Sequence, residues 1–267
     1  MNKLVTTVAA CAALAFASLP ASAQSTAATT LVHGIPGVTV DVVVDGSVVV
    51  DDFAPGSTAD ITTYAGQTLV DVEVVDSSDD SVLIGPIAGV DVPDTGNWSI
   101  VAMLDSTGTP RLASFQNNVN SVDAGNARLT VRHAAAAGAI DIIIAGQRPV
   151  AGLTNGGSQE LILPVGTVSG AEVALAGGNP IAQISDIALA ADSNTILFIV
   201  GAADGTDNEL SFVTQVVTLP PPATTTTTST TVVDATTTTT VPGATTTTTT
   251  TIAGATTTTT SSTTTTA

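Results

Sequence analysis

Residues 31–46 read LVHGIPGVTVDVVVDG, and residues 131–146 read VRHAAAAGAIDIIIAG. A shift of one hundred positions superimposes the two stretches. The matched residues include a histidine, an aspartate and several glycines: His33 with His133, Asp41 with Asp141, Gly46 with Gly146, Gly56 with Gly156, and Gly66 with Gly166. Glycine between apolar runs marks turns that need a positive φ. The shared spacing therefore predicts one plan of strands and turns that the chain uses twice.

The runs between these glycines have the period of a β-strand. In Val38–Val44 every second residue is valine, and this period of two buries one face of a strand. Asp45-Gly46, followed by a second valine run, is a two-residue hairpin signal. Leu69–Val75 alternates in the same way and predicts one further strand. Short alternating strands in units of about 100 residues predict an all-β fold of two tandem immunoglobulin-like β-sandwich units.

The second copy contains an alanine run and a later apolar strand that the alignment with the first copy helps to interpret. Ala134–Ala137 favours a helix by propensity, but the first copy has Gly34–Gly37 there, with a proline and two glycines. No helix is therefore predicted. Further along, with two residues fewer in the second copy, Trp98–Ala102 aligns with Ile196–Val200. The apolar neighbours of Trp98 predict a buried ring.

Composition divides the chain into four parts. Residues 1–23 are predicted to be a signal peptide, 24–120 the first β-sandwich unit, 121–219 the second unit, and 220–267 a Pro/Thr-rich disordered tail. The boundary between the units falls within residues 117–126. This segment is polar, turn-rich and short enough to hold the units close together.

The N-terminal segment has the features of an export signal. Lys3 precedes an apolar run, and the sequence A-S-A ending at Ala23 is a small-residue cleavage site. Cleavage between Ala23 and Gln24 is expected, and the run is too short to span a membrane. The alternative is a lipobox ending at Cys11, which would carry a lipid. Cys11 is the single cysteine, so cleavage after Ala23 leaves neither disulfides nor thiol chemistry.

The tail is almost entirely threonine from Thr224 onward, without a basic or aromatic residue. Pro220–Pro222 begins it as an extended polyproline segment. Such a composition cannot bury enough apolar surface to fold, and threonine-rich tracts with proline are common acceptors of O-glycans. The sequence predicts a disordered, O-glycosylated tail over Ala223–Ala267, on a secreted protein associated with the cell surface or cell wall.

The charge balance excludes some partners. The chain has 23 acidic and five basic residues, with a formal net charge of −18. Such a surface repels nucleic acid and anionic lipid, because few cations are present to neutralise phosphate. Solubility explains the charge on its own, and cation binding is the functional alternative. No nucleic-acid partner and no transmembrane anchor are predicted.

The opening motif resembles that of a known family. The stretches VHGIPG at 32–37, VDVVVDG at 40–46 and FAPG at 53–56 resemble the secreted bacterial modules grouped as domain of unknown function 4397, which are frequent in actinobacteria. Val43 stands where that family usually has tyrosine. The resemblance spans residues 31–217 as two units, and the second is degenerate, with Ala136 in place of proline. It implies a β fold and an extracellular location, and it implies no activity.

His33 and His133 are the only histidines. A metal hypothesis pairs each with Asp41 or Asp141 on a neighbouring strand, but one histidine and one carboxylate fall short of the ligands that zinc needs. The alternative is that each histidine fixes its loop by hydrogen bonds to the backbone. No catalytic residue and no cofactor is predicted, because the chain has no nucleophile elbow and too few aromatic residues for a sugar-cleaving cleft.

Two oxygen-rich loops are weak candidates for a calcium site. Residues 76–80 read DSSDD, and residues 204–209 read DGTDNE. The candidate ligands are Asp76, Asp79, Asp80, Asp204 and Asp207. Neither loop has the twelve-residue EF-hand pattern, although extracellular calcium sites can be weak. Solvated turns are the alternative interpretation.

Together these patterns favour an exported, non-enzymatic module of the cell surface or cell envelope, with a binding, adhesion or structural role. Its expected partner is an envelope component or an extracellular ligand. A calcium- or small-ligand-binding extracellular protein is the alternative, and a hydrolase is a remote one.

Overall fold

The computed structural model describes residues 27–203 and 209–222. Its regular structure consists of twenty β-strands and one 3-10 turn, Thr62–Tyr64, so the predicted all-β class is confirmed. None of these residues forms a helix long and apolar enough to cross a membrane. The predicted cleavage site at Ala23, the alternative lipid site at Cys11 and the tail from residue 223 lie outside the described ranges.

The first ten strands form two four-stranded sheets and one two-stranded ribbon. Their bounds are β1 Ala28–His33, β2 Val40–Val44, β3 Ser47–Phe53, β4 Thr58–Asp60, β5 Thr68–Leu69, β6 Val72–Asp76, β7 Val82–Ile87, β8 Val90–Asp91, β9 Asn97–Leu104 and β10 Pro110–Asn117. One sheet has the order β10-β9-β1-β4 and the other β3-β2-β6-β7, and β5 pairs with β8. Strands β1 and β9 run parallel, so the first sheet is mixed.

The second ten strands pair in the corresponding order. Their bounds are β11 Asn126–His133, β12 Ile140–Ile144, β13 Gln147–Leu153, β14 Ser158–Pro164, β15 Gly166–Val168, β16 Glu172–Leu175, β17 Pro180–Gln183, β18 Ile187–Leu189, β19 Ser193–Val200 and β20 Ser211–Thr218. The sheets are β14-β11-β19-β20 and β13-β12-β16-β17, with the ribbon β15-β18. Strands β11 and β19 are again parallel.

Each half is a sandwich, because its two large sheets enclose one apolar layer. Members of the first layer from both sheets are Leu31, Val40, Val42 and Ile100. Members of the second layer are Leu129, Ile140, Ile142 and Leu197. Val40 and Val42 are the buried valines of β2, on the face that the alternation assigns to the core.

A third apolar layer joins the two halves. It lies between the sheet β10-β9-β1-β4 and the sheet β14-β11-β19-β20, and its buried members are Val32, Val101, Met103, Ala134, Ile196, Phe198, Val200, Val213 and Val217. Alternate residues of β9 and β19 therefore face two different apolar layers. This is why Ile100–Leu104 and Ile196–Val200 are continuous apolar runs, as expected for strands buried on both faces.

The strand predicted over Leu69–Val75 is in fact two strands. Strand β5 ends at Leu69 and β6 begins at Val72, because the chain turns at Asp71, which has a φ of 47°. The two strands join different sheets, since β5 pairs with β8 and β6 with β2. The alternation of apolar residues continues across the break, so periodicity could not reveal it.

The predicted alignment of β9 with β19 is wrong by one residue. The parallel ladders place His33 opposite Ala102 in the first half and His133 opposite Ile199 in the second. The offset is therefore 97 residues, as 199 − 102, and not 98. A one-residue slip exchanges the two faces of a strand. These runs are apolar on both faces, so they contain no alternation that would expose the slip.

Two local predictions have different outcomes. Ala134–Ala137 contains no helix, as the comparison with the first copy predicts. Trp98 is only half-buried, and its Nε1 donates a hydrogen bond to the carbonyl oxygen of Thr95 at 2.9 Å. The ring thus lies near the start of β9 and not in the core, because its N–H is hydrogen-bonded to the turn that precedes the strand.

Candidate functional site

His33 fastens the loop that joins β1 to β2. Its Nε2 donates to the carbonyl oxygen of Val38 at 2.9 Å, and its Nδ1 accepts from the N–H of Ile35 at 3.3 Å. This pairing requires the neutral tautomer with its proton on Nε2. The ring is fully buried. Burial lowers the pKa of His33 below its ordinary value, and the bond to Val38 opposes this shift in part.

His133 does the same in the second half. Its Nε2 donates to the carbonyl oxygen of Gly138 at 2.9 Å, and its Nδ1 accepts from the N–H of Ala135 at 3.3 Å. Burial again lowers the pKa of His133. Each histidine thus uses both ring nitrogens on backbone groups of its own loop.

The loop at residues 76–80 is an exposed turn between β6 and β7. The carboxylate of Asp76 accepts from the N–H of Ser78 at 2.8 Å and from its hydroxyl at 2.6 Å. Asp79 accepts from the N–H of Ser81 at 3.0 Å, and its hydrogen bonds to that residue lower the pKa of Asp79. Asp80 has a positive φ of 58° within the turn. Local hydrogen bonds therefore account for the carboxylates of Asp76 and Asp79.

Asp204 and Asp207, the candidate calcium ligands of the later loop, lie outside the described residues. The carboxylates that converge within the described residues are those of Asp41, Asp51 and Asp52, whose oxygens lie within 4.8 Å of one another. Asp51 and Asp52 are exposed, and Asp41 is half-buried. Asp51 and Asp52 were not among the predicted ligands, and Asp41 was considered only in the hypothesis that paired it with His33.

Two irregularities in the β2–β3 hairpin create the acidic cluster. A regular two-residue hairpin would place Val50 opposite Asp41. One register shift instead pairs Val50 with Val42, and a second pairs Phe53 with Val40. Two residues of β3, Asp51 and Asp52, therefore lie opposite Asp41, and the chain bulges at Asp52, which has a φ of 47°. The N–H of Asp52 donates to the carboxylate of Asp41 at 2.8 Å. Asp41 therefore stabilises the bulge, and the bulge brings two further carboxylates beside it.

The second half places an arginine at the corresponding position. One oxygen of Asp141 accepts from the N–H of Gly152 at 2.7 Å, and the other accepts from Gly177 at 2.9 Å and pairs with Arg148. The two backbone N–H groups, followed by Arg148, hold the pKa of Asp141 below its usual range. By the hundred-residue shift, the first half has Val48 in place of Arg148.

Arg132 is buried in the middle of the layer between the halves. Its guanidinium carbon lies 4.6 Å from the ring centroid of Phe115 and 5.3 Å from that of Phe198. One nitrogen donates to the side-chain oxygen of Asn117 at 2.6 Å and to the carbonyl oxygen of Gln116 at 3.1 Å. Burial lowers the pKa of Arg132 to about 10, so it remains charged at neutral pH. The arrangement joins charge to aromatic faces across the interface.

Further polar contacts hold the halves in register. The hydroxyl of Ser99 donates to the side-chain oxygen of Gln215 at 2.7 Å, and the Gln215 amide donates to the hydroxyl of Thr30 at 3.0 Å. Gln215 belongs to the second half and both of its partners to the first. Buried polar groups paired in this way favour one arrangement over a sliding apolar contact.

Arg128 fixes the segment between the halves. One of its nitrogens donates to the carbonyl oxygens of Asn118 and Asn120, each at 3.0 Å. Its Nε lies 3.2 Å from the carboxylate of Glu160, which also accepts from the Asn118 amide at 2.9 Å. The connection is therefore bound to the second half and does not act as a free linker.

Two cavities differ in what they can hold. The core of the first half contains an apolar cavity of about 30 Å³, room for about one water molecule. An open cleft of about 560 Å³ lies where the halves meet. Its lining residues are Asp105, Ser106, Arg111, Ala137, Gly138, Ala139, Thr154 and Asn155. Of these two, the cleft is the one with the size and polar groups of a ligand site. A third cavity, of about 460 Å³, lies within the second half and has Gln183 and Glu209 in its lining.

Residues 27–143 match the model of the family described as domain of unknown function (DUF4397). The DUF4397 match covers the first half and continues through β11 and nearly all of β12. The resemblance based on the opening motif is therefore confirmed up to residue 143, and the match does not extend over the rest of the second unit. The family description names no activity. No curated protein matches the chain.

Proposed function

We propose that the protein is an exported, non-enzymatic module that is presented at the cell surface or in the cell envelope. Its body binds an envelope component or an extracellular ligand, and the threonine-rich tail from residue 223 serves as a glycosylated spacer. The signal peptide of residues 1–23 directs export, with cleavage between Ala23 and Gln24.

One observation carries this proposal: the two sandwiches form one body of four stacked sheets, with an apolar layer in each sandwich and a third between them. A third apolar layer leaves neither half free to move as a separate domain. Such a body offers fixed outer sheets and loops for contact, as a display module requires. It achieves this stability without disulfides, since the single cysteine is Cys11.

The histidines support a non-enzymatic role. Both imidazoles are buried and bonded to the backbone through both ring nitrogens. A general base needs a nitrogen within reach of the proton that it removes. Neither His33 nor His133 offers one, which weighs against the hydrolase alternative.

The end of the described chain suits a displayed body. Strand β20 contributes Val213 and Val217 to the layer between the halves. Leu219 is buried, and its N–H donates to the carbonyl oxygen of Asp192 at 2.8 Å. The prolines at 220–222 follow directly. The chain is thus packed and hydrogen-bonded to the body as far as Leu219, directly before the predicted tail begins.

Sedimentation with envelope fragments tests the proposal. The purified full-length protein is mixed with envelope from its native host, and the bound fraction is measured over a range of protein concentrations. We expect saturable binding that persists when residues 223–267 are removed, since the body carries the contacts. Heat-denatured protein serves as the control and should not show saturable binding.

Intact mass of the native protein tests the tail. We expect masses above that of the sequence, in hexose increments that map to residues 223–267, and a mature chain that begins at Gln24. Absence of saturable binding, together with unmodified tail peptides, contradicts the proposal. A mature chain that begins at a lipid-bearing Cys11 replaces the cleaved secretory form with the lipoprotein alternative.

The second candidate function, calcium binding, is favoured by the acidic cluster. Three carboxylates converge in the first half at the position where the second half has Asp141 paired with Arg148. In the second half the positive charge at that position is the guanidinium of Arg148. In the first half a calcium ion would take its place among the three carboxylates. Oxygen ligands of this kind suit calcium.

Thermal unfolding in calcium, in magnesium and in a chelator tests this alternative. Calcium binding predicts a higher Tm in calcium, which the Asp51→Asn variant should lose and an Asp76→Asn variant should keep. Equal Tm values in all three solutions contradict calcium binding.

A further inference from the structure

The cleft between the halves contains Arg111, which has no carboxylate partner among the residues that the structure describes. Arg111 stands at the second position of β10, on the same face as Phe115 and Asn117, at the edge of the layer between the halves. Within residues 27–203 and 209–222, the ion pairs are those of Arg128 with Glu160 and of Arg148 with Asp141. Arg111 is in neither, and it lines the open cleft.

The second half holds the Arg111 guanidinium in place. One of its nitrogens donates to the side-chain oxygen of Asn155 at 3.1 Å. The Asn155 amide in turn donates to the carbonyl oxygens of Leu104 and Ala135, at 2.9 and 2.8 Å. These hydrogen bonds fix the orientation of the Asn155 side chain, so its oxygen stays directed at Arg111.

The neighbouring backbone also leaves room for this guanidinium. A Cβ added at Gly156 would lie 2.9 Å from the Arg111 nitrogen, closer than real Cβ contacts allow. The residue at this position has a φ of 77°, which requires glycine, and the glycine leaves the Arg111 side chain space that a larger residue would take only by displacing it. The guanidinium is therefore pre-positioned at the cleft before any ligand arrives.

The other charged residue of the cleft, Asp105, does not form an ion pair with Arg111. One oxygen of Asp105 accepts three hydrogen bonds within its own turn, from the N–H and hydroxyl of Thr107 and from the N–H of Thr109. These bonds, first that of the Thr107 side chain, lower the pKa of Asp105, and the charge of Arg111 contributes least. A guanidinium has five donors, and the described structure commits one of the Arg111 donors to Asn155.

We propose that the cleft between the halves binds a small ligand through its carboxylate, with Arg111 as the residue that pairs with it. A planar carboxylate matches the guanidinium fork with two parallel hydrogen bonds. A singly charged group suits the site better than phosphate, because the strongly acidic chain repels a second negative charge more. Sugar acids and peptide C-termini share this chemistry. This inference holds whether or not the protein is exported to the cell surface.

Arginine side-chain NMR of the full-length protein tests the inference. The chain contains four arginines, so their Nε–H groups give four resonances, which single variants assign. Sodium glucuronate and N-acetyl-alanyl-alanine are the carboxylate probes, with glucose and the C-terminal amide of the dipeptide as neutral controls. We expect the carboxylate probes to shift the Arg111 resonance saturably and the neutral probes to leave it unchanged. The probe with the lower dissociation constant identifies the source of the carboxylate.

Arg111→Gln should weaken binding of the probe at least about tenfold, and Arg111→Lys should weaken it less because it keeps the charge. Arg148→Gln removes an arginine from strand β13, which does not line the cleft, and should leave binding unchanged. Three results overturn the inference: equal shifts at all four arginines, binding that survives Arg111→Gln, or tighter binding of inorganic phosphate than of both carboxylates. Tm values of the variants show that the compared proteins are folded.

Discussion

Val200 of the second half occupies the space that a side chain at Gly34 of the first half would need. A Cβ added at Gly34 would lie 2.8 Å from Cγ1 of Val200 and 3.0 Å from the carbonyl oxygen of Ala102. The N–H of Gly34 also donates to that carbonyl at 2.7 Å. Glycine is therefore needed at this position because the two sandwiches approach closely there. It is not needed for the backbone conformation of a turn.

We expect Gly34→Val to destabilise the protein by about 3 kcal/mol, because the added atoms overpack a filled interface. Urea unfolding of the two variants measures the effect. Gly138→Ala is the matched control, since a Cβ there meets no atom within 4 Å and should change stability little. Equal stabilities of the two variants would mean that the halves separate at no cost.

Val42→Asp should destabilise the protein by about 3 kcal/mol or more, because it places an unpaired charge between the sheets of the first sandwich. Val42 is 8% exposed. Val48, on the neighbouring strand β3, is 54% exposed, so Val48→Asp is the control and should cost much less. A Tm for Val42→Asp equal to that of the unchanged protein contradicts the assigned inward face.

Val48→Arg should stabilise the protein by about 0.5 kcal/mol, the usual contribution of an exposed ion pair. The change gives the first half the arginine that pairs with Asp141 in the second half, here beside the acidic cluster of Asp41, Asp51 and Asp52. Val48→Gln supplies a long polar side chain without the charge and should give no gain. Added salt should reduce the gain of Val48→Arg. A gain for glutamine as large as that for arginine argues against pairing.

Stability should fall as the pH is lowered from 7.5 to 5. Burial lowers the pKa of both His33 and His133, so the unfolded chain binds protons more readily than the folded one. The stabilising contribution is complete above the unfolded value of about 6.5 and is lost as the pH falls through the folded pKa. Protonation of Nδ1 also removes the acceptor for the N–H of Ile35.

The Tm measured across this range checks the pH prediction. A His133→Gln variant should be less stable at neutral pH and should show about half the change in Tm with pH, because one titrating group remains. A Tm that is constant between pH 7.5 and 5 is incompatible with two histidines that are buried in the neutral form.

Much of the strand plan could be predicted from local patterns. The alternation at Val38–Val44 and the turn at Asp45-Gly46 correspond to β2 and to the start of β3, with positive φ at both turn residues. The break at Asp71 was not predictable, since the apolar alternation crosses it. Nor was the register of β9 and β19, since a strand that is buried on both faces has no polar residues to mark its orientation.

The candidate sites could be predicted less well than the fold. The acidic pair Asp51-Asp52 is plain in the sequence, but a regular hairpin would not bring it to Asp41. Arg132 stands in β11, where Ala127, Leu129 and Val131 alternate with Arg128, Thr130 and Arg132. That alternation predicts a solvent-exposed polar face, so the sequence contains no signal that Arg132 is buried. Its partners Phe115 and Phe198 come from strands far away in the chain, so only their packing identifies the site.

By itself the sequence determined that this protein is built of β-strands on a plan with a hundred-residue spacing. The reason is local: alternation and turn chemistry depend on neighbours within a few residues. Only the tertiary structure decided that the sandwiches join through a third apolar layer, and that Arg111 and Asn155 meet at its edge. Those relationships depend on which faces of the sheets are covered. Contacts between residues far apart in the chain decide that, and no local pattern encodes them.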